Sequence, residues 1–126
     1  MVAITIASLT LIFSTSLALP SNAATFVFSK SNFHNPLRID NKYFPLKAGT
    51  TMIYNGTSDG DLTRDLFVVT NDTKQILGIS TRVVHDDAYV KGDHEETTND
   101  WFAQDDQGNV WYIREFTTDL SNERSH

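Results

Sequence analysis

Two kinds of hydrophobic patterning divide the chain. Residues 2–19 are apolar with scattered Ser and Thr and carry no charge; the first Lys is Lys30. Pro20 breaks the run, and Ser21-Asn22-Ala23 places small residues at the two subsites for cleavage after Ala23. This is the pattern of a signal peptide, although its n-region lacks Lys and Arg. The competing readings are a retained transmembrane anchor, at the short edge of spanning length, and a mis-assigned start codon. Each of the three puts residues 25–126 outside the cytoplasm. The expectation is a signal peptide over 1–23 and a secreted or envelope domain over 24–126, with no membrane span after cleavage.

Beyond residue 24 the period changes. No stretch keeps apolar residues at i, i+3, i+4 and i+7 for three turns, so no amphipathic helix is predicted. Thr25 to Lys47 is irregular, with Phe26 and Phe28 alternating as in a short strand and Asn35-Pro36 and Phe44-Pro45 marking extended or turn segments. Short strands follow. Thr51–Tyr54 stops at Asn55-Gly56, and Thr57 to Asp61 is a polar loop. Asp65–Thr70 stops at Asn71-Asp72. Gln75–His85 contains Gly78 as an expected bulge. Ala88–Val90 reaches a turn at Lys91-Gly92-Asp93. Glu95–Gln104 and Asn109–Glu115 flank a strong turn signal at Asp105-Asp106-Gln107-Gly108. Strands at this spacing predict an all-β antiparallel meander, sandwich or partial barrel.

Composition narrows the picture. The chain has 126 residues and is 40% apolar, enough for one small domain with a core. There is no Cys, which removes disulfides, thiolate metal sites and thiol catalysis. The net charge of -6 argues against nucleic-acid binding, which needs basic surface to displace counterions. That charge is concentrated. Residues 86–106 hold one Lys and eight Asp or Glu, whereas residues 25–85 hold seven basic and five acidic residues.

The acidic stretch reads as a solvated hairpin, with two sharper alternatives. Asp86, Asp87, Asp93, Asp105 and Asp106 offer hard oxygens for calcium from neighbouring turns, without the spacing of an EF-hand. His85 and His94 offer nitrogens for zinc or copper if a hairpin brings them together. Gly78-Ile79-Ser80-Thr81-Arg82 starts like a nucleophile elbow, but it lacks the final Gly and sits in a strand. Asn55-Gly56-Thr57 and Asn71-Asp72-Thr73 are glycosylation sequons in an organism that glycosylates exported chains, at Asn55 and Asn71. Trp101, Phe102, Trp111 and Tyr112 flank one hairpin turn. Alternation sends one aromatic of each strand into the core, and Trp101, Trp111 and Tyr112 are the candidates for an outward binding stripe.

The same hairpin carries a resemblance. The blocks are Asn41-Lys42-Tyr43-Phe44-Pro45-Leu46-Lys47-Ala48-Gly49-Thr50, then Ile76-Leu77-Gly78-Ile79, then Asp100-Trp101-Phe102-Ala103-Gln104-Asp105-Asp106-Gln107-Gly108-Asn109-Val110-Trp111-Tyr112. Their order resembles a family of uncharacterised exported bacterial and archaeal β-rich proteins. The departures are Ala48 for Pro, Phe102 for Tyr and Ile113-Arg114-Glu115 for a Phe-Gly-Glu run. The resemblance implies a secreted β-rich domain, favours reading it as the N-terminal part of a longer unit, and carries over no catalytic residue. The expected function is a binding or interaction module of the envelope or extracellular space, with a protein or carbohydrate ligand. The alternatives are a small metal-dependent or carboxylate-based hydrolase and a purely structural accessory domain. A hydrolase would gather Asp100, Asp105 or His94 in one cleft.

Overall fold

A computed structural model describes residues 26–121; the expected signal peptide lies outside them. Five strands form one antiparallel sheet in chain order, so the chain is all-β and the meander is the architecture adopted. The strands are β1 (Thr51–Ser58), β2 (Asp61–Ile76), β3 (Ile79–Val90), β4 (Asp93–Gln104) and β5 (Val110–Asp119). Among the described residues no helix is long and apolar enough to cross a membrane.

The strands are longer than the sequence suggests, because several turn-like residues lie inside them. Three of the four hairpins close through two residues: Asp59-Gly60, Leu77-Gly78 and Lys91-Gly92, all with positive φ. Positive φ at both central residues matches the right-handed twist of the flanking strands. Gly78 is therefore a hairpin corner, not a bulge. Leu77 beside it sits at φ 53°, a conformation that costs a β-carbon-bearing residue about 1 kcal/mol. Asn55 and Gly56 pair with Arg64 and Thr63 inside the ladder, so they end nothing.

Asn71-Asp72 does not end β2 either. The β2–β3 register jumps from Val69↔Val84 to Thr73↔Arg82, which leaves Thr70, Asn71 and Asp72 opposite Val83. Side chains hold this arch. The Thr70 hydroxyl donates to the Val83 carbonyl at 2.6 Å, and Arg82 Nη1 donates to the Asn71 carbonyl at 3.2 Å.

Residues 26–46 form an arm rather than a strand, with one short 3-10 turn at Lys30–Asn32. Phe26 and Phe28 have no ladder partner and pack instead on the Trp111 ring, at centroid distances of 6.2 and 5.9 Å. The arm crosses one end of the sheet and covers both faces there. Phe28 and Phe33 lie with Ile79, Ala103, Trp111 and Ile113 on one side. Ile39, Phe44 and Leu46 lie with Val69, Val84 and Phe102 on the other. Each fully buried aliphatic side chain in these clusters contributes about 1.5–3 kcal/mol.

This double cover explains β4. Trp101, Phe102, Ala103, Gln104 and Asp105 are all buried in succession. Alternation alone would have left one of the two rings, Trp101 or Phe102, on the outside. Both are core, on opposite faces.

Candidate functional site

The arm and the β4–β5 turn lock together around Asp105. Asp105 Oδ1 accepts from the backbone amides of Gln107 and Asn109, at 3.0 and 2.8 Å. Its Oδ2 accepts from Asn109 Nδ2 and Trp111 Nε1, both at 2.9 Å. Burial pushes the Asp105 carboxyl up, but the bonds from Trp111, Asn109 and Gln107 outweigh it and hold the group below its usual range. Gly108 occupies the positive-φ position of the loop, at 88°.

The arm then binds the outside of this turn. Asn41 Nδ2 donates to the Gly108 carbonyl at 2.7 Å, and the Asn41 amide donates to Gln104 Oε1 at 2.9 Å. Gln104 Nε2 donates to Asp40 Oδ1 at 2.8 Å. On the other flank the His34 amide donates to Asp106 Oδ1 at 3.0 Å, and its ring contacts Oδ2 at 2.6 Å. Those His34 contacts, the backbone one first, hold the Asp106 carboxyl low.

Beside this turn a cavity of about 630 Å³ opens along the start of β5. Phe26, Phe44, Phe102, Trp111 and Tyr112 wall it, with Asn41, Asn109 and Val110. Trp111 stands opposite Ala103 and Tyr112 opposite Phe102 in the ladder, so the two rings leave the edge strand on opposite faces. The cavity accordingly curls round the free edge of the sheet. Two of the three stripe candidates, Trp111 and Tyr112, line it. Trp101 does not: it is 7% exposed, under the Lys74 ammonium, 4.8 Å from the ring centroid.

Tyr112 joins the cavity to a row of carboxylates. Its hydroxyl lies 2.7 Å from both Asp100 Oδ1 and Glu115 Oε2. Burial pushes the phenol up, and the two bonded carboxylates push it further. Burial raises the Asp100 carboxyl, against the Tyr112 bond and with help from Glu115 and Glu96. Register sets the rest of this face. Val69, Val84, Asp100 and Glu115 form one row across the strands, Phe67, Asp86, Thr98 and Thr117 the next, and Asp65, Ala88, Glu96 and Asp119 the next. The face turns from apolar under the arm to acidic beyond it.

Asp86 sits in the middle of that transition. Its Oδ1 is buried without a hydrogen-bond partner. Burial, then Asp65, Asp100, Asp87 and Glu96, push its carboxyl from 3.8 up to about 6. A carboxyl raised on folding favours the native state at low pH and opposes it once ionised. The penalty is absent below about pH 4, grows between 4 and 6, and is full above 6. Asp86→Asn is therefore expected to stabilise the protein at pH 7.5 by about 1–2 kcal/mol, discounted for partial solvent screening. The gain should vanish at pH 4, as urea melts at the two pH values would show. Equal gains at both would disprove the linkage.

The five Asp residues considered for calcium go to separate places. Asp86 and Asp87 point to opposite faces of β3, as neighbours in a strand must. Asp93 closes the β3–β4 hairpin at one end of β4, and Asp105 and Asp106 lie past the other end, on the order of 35 Å away. The two His residues considered for zinc or copper do meet, through Asp87. Its Oδ1 lies 3.0 Å from His94 Nε2 and 3.3 Å from His85 Nε2. Tyr89 stacks on the His94 ring at 4.7 Å, and Asn99 Oδ1 lies 3.1 Å from His85 Nδ1. Asp87 stands between the rings, and among the described residues no group of three or more His, Asp and Glu side chains is placed to hold a metal ion.

Asp100, Asp105 and His94 also separate. The first lies with Tyr112, the second inside the turn, and the third with Asp87 on the opposite face. The sequon residues Asn55 and Asn71 are exposed. Local sequence pointed to Trp111, Tyr112 and the acidic stretch, but not to Phe26 and Phe44 as cavity walls or to the acidic rows, because the arm supplies the first and strand register the second. No family model, curated protein or solved structure matches the chain.

Proposed function

We propose that this chain is an exported binding module of the cell envelope or extracellular space, and that its ligand enters the aromatic cavity beside the β4–β5 turn. One observation carries the reading: five aromatic side chains line a cavity of small-molecule size round the free sheet edge, beside a turn whose amides Asp105 binds. Pre-formed, mostly apolar pockets with a few placed polar groups are where small ligands bind. The scattering of Asp100, Asp105 and His94 favours binding over hydrolysis. Export rests on the apolar run and Ala23 pattern of the first 23 residues.

An amide-correlation NMR titration of the protein tests this. The probe panel comprises glucose, N-acetylglucosamine, cyclohexanol and choline. At least one probe is expected to shift the amides of residues 41–44 and 109–112. Shifts confined to other regions, or none from any probe at millimolar concentration, would overturn the proposal.

A further inference from the structure

We infer that the cavity takes an organic cation, of the quaternary or alkylated ammonium class. The inference rests on the binding-module reading and names the ligand chemistry of the same cavity. Aromatic faces carry negative quadrupole potential, and a cation lying over several of them is held electrostatically. Phe44, Phe102 and Tyr112 supply the rings on one face of the edge, Phe26 and Trp111 those on the other, and no Lys or Arg is among the lining residues to repel such a guest.

The surrounding charge points the same way. The Tyr112 hydroxyl has one proton but faces two carboxyl oxygens, Asp100 Oδ1 and Glu115 Oε2, each at 2.7 Å. It can donate to only one at a time. The group of three therefore holds negative charge beyond what its hydrogen bonds satisfy. Among the described residues none of the ion pairs involves Asp100 or Glu115; they join His34–Asp106, Arg38–Asp40, His85–Asp87, Lys91–Asp61 and His94–Asp87. A cation seated against the Tyr112 ring lies one hydroxyl away from both carboxylates. A metal ion or an unsubstituted ammonium is strongly hydrated and would want direct oxygens in place of its water. A methylated ammonium, weakly hydrated and apolar at its surface, fits rings and distant carboxylates together.

The experiment compares choline with dimethylbutanol, its neutral carbon isostere, by NMR titration of the full protein. Choline is expected to bind roughly fivefold or more tightly, with shifts at residues 109–112. Glu115 is exposed, so Glu115→Gln keeps the fold, which its NMR spectrum verifies; it should lower choline affinity toward that of the isostere. Equal binding of the two probes, or no change on Glu115→Gln, would overturn the cation assignment and leave an apolar binding module standing. Failure of both probes while glucose or cyclohexanol binds would do the same. Failure of every probe would overturn both proposals.

Discussion

Asp105→Ala is expected to destabilise the protein by about 3–4 kcal/mol, with a drop in melting temperature of roughly 15 °C or more. Alanine leaves two backbone amides, of Gln107 and Asn109, and the Trp111 indole N–H without their shared acceptor. Each stranded donor costs about 1–3 kcal/mol where water cannot reach it. Partial solvent access at the turn keeps the total at the lower end of the sum. Asp105→Asn retains one carbonyl acceptor and should lose about half as much. The pH dependence separates charge from shape. Asp105 titrates below its usual value on folding, so its contribution is present above pH 4 and lost as pH falls through the lowered native value. Melts of the wild type and Asp105→Asn should converge in acid. A constant gap down to pH 2 would show that the carboxylate charge contributes nothing.

Trp101→Ala should cost about 3–5 kcal/mol, as expected for a buried aromatic. The ring is 7% exposed and carries the Lys74 ammonium on its face. Trp101→Phe sharpens the test. Trp101 Nε1 is buried with no hydrogen-bond partner, so phenylalanine removes an unsatisfied donor while shrinking the ring. Those effects oppose each other, and the loss should be about 1 kcal/mol or less. Urea melts of both variants decide it. An unchanged midpoint for Trp101→Ala would remove Trp101 from the core.

Much of this fold is readable in the residues, and the failures share a cause. Alternating β-branched and aromatic residues, with turn residues between them, indicate antiparallel strands, and pairing in chain order selects the meander from the sandwich and the barrel. The Asp105–Asn109 loop is readable in detail, because a short loop is governed by local chemistry: Gly108 for positive φ and Asp105 for bonds to the loop amides. Strand ends are less legible. Asn55-Gly56 and Asn71-Asp72 look like stops, yet the first lies inside the β1–β2 ladder and β2–β3 pairing resumes at Thr73 after the second. The burial of Phe102 depends on an arm whose contacts are distant in sequence, as Asn41 to Gln104 shows, and Trp101 is covered by Lys74 from β2. The Tyr112–Asp100–Glu115 group depends on the exact pairing of β4 with β5, where a single bulge between Trp101 and Phe102 sets who faces whom.

The arm also imposes an order of events. The hairpins of the meander join neighbours in sequence and can close early. The arm cannot, since its docking partners in the β4–β5 turn come late in the chain. It emerges first during synthesis and seats last, after β5 has paired. Until then Phe28 and Phe33 lack Trp111 and Ile113, the β5 part of their cluster. While the arm is unseated its apolar side chains stay open to solvent and to other chains, so the last docking step is also the one at which aggregation competes with folding.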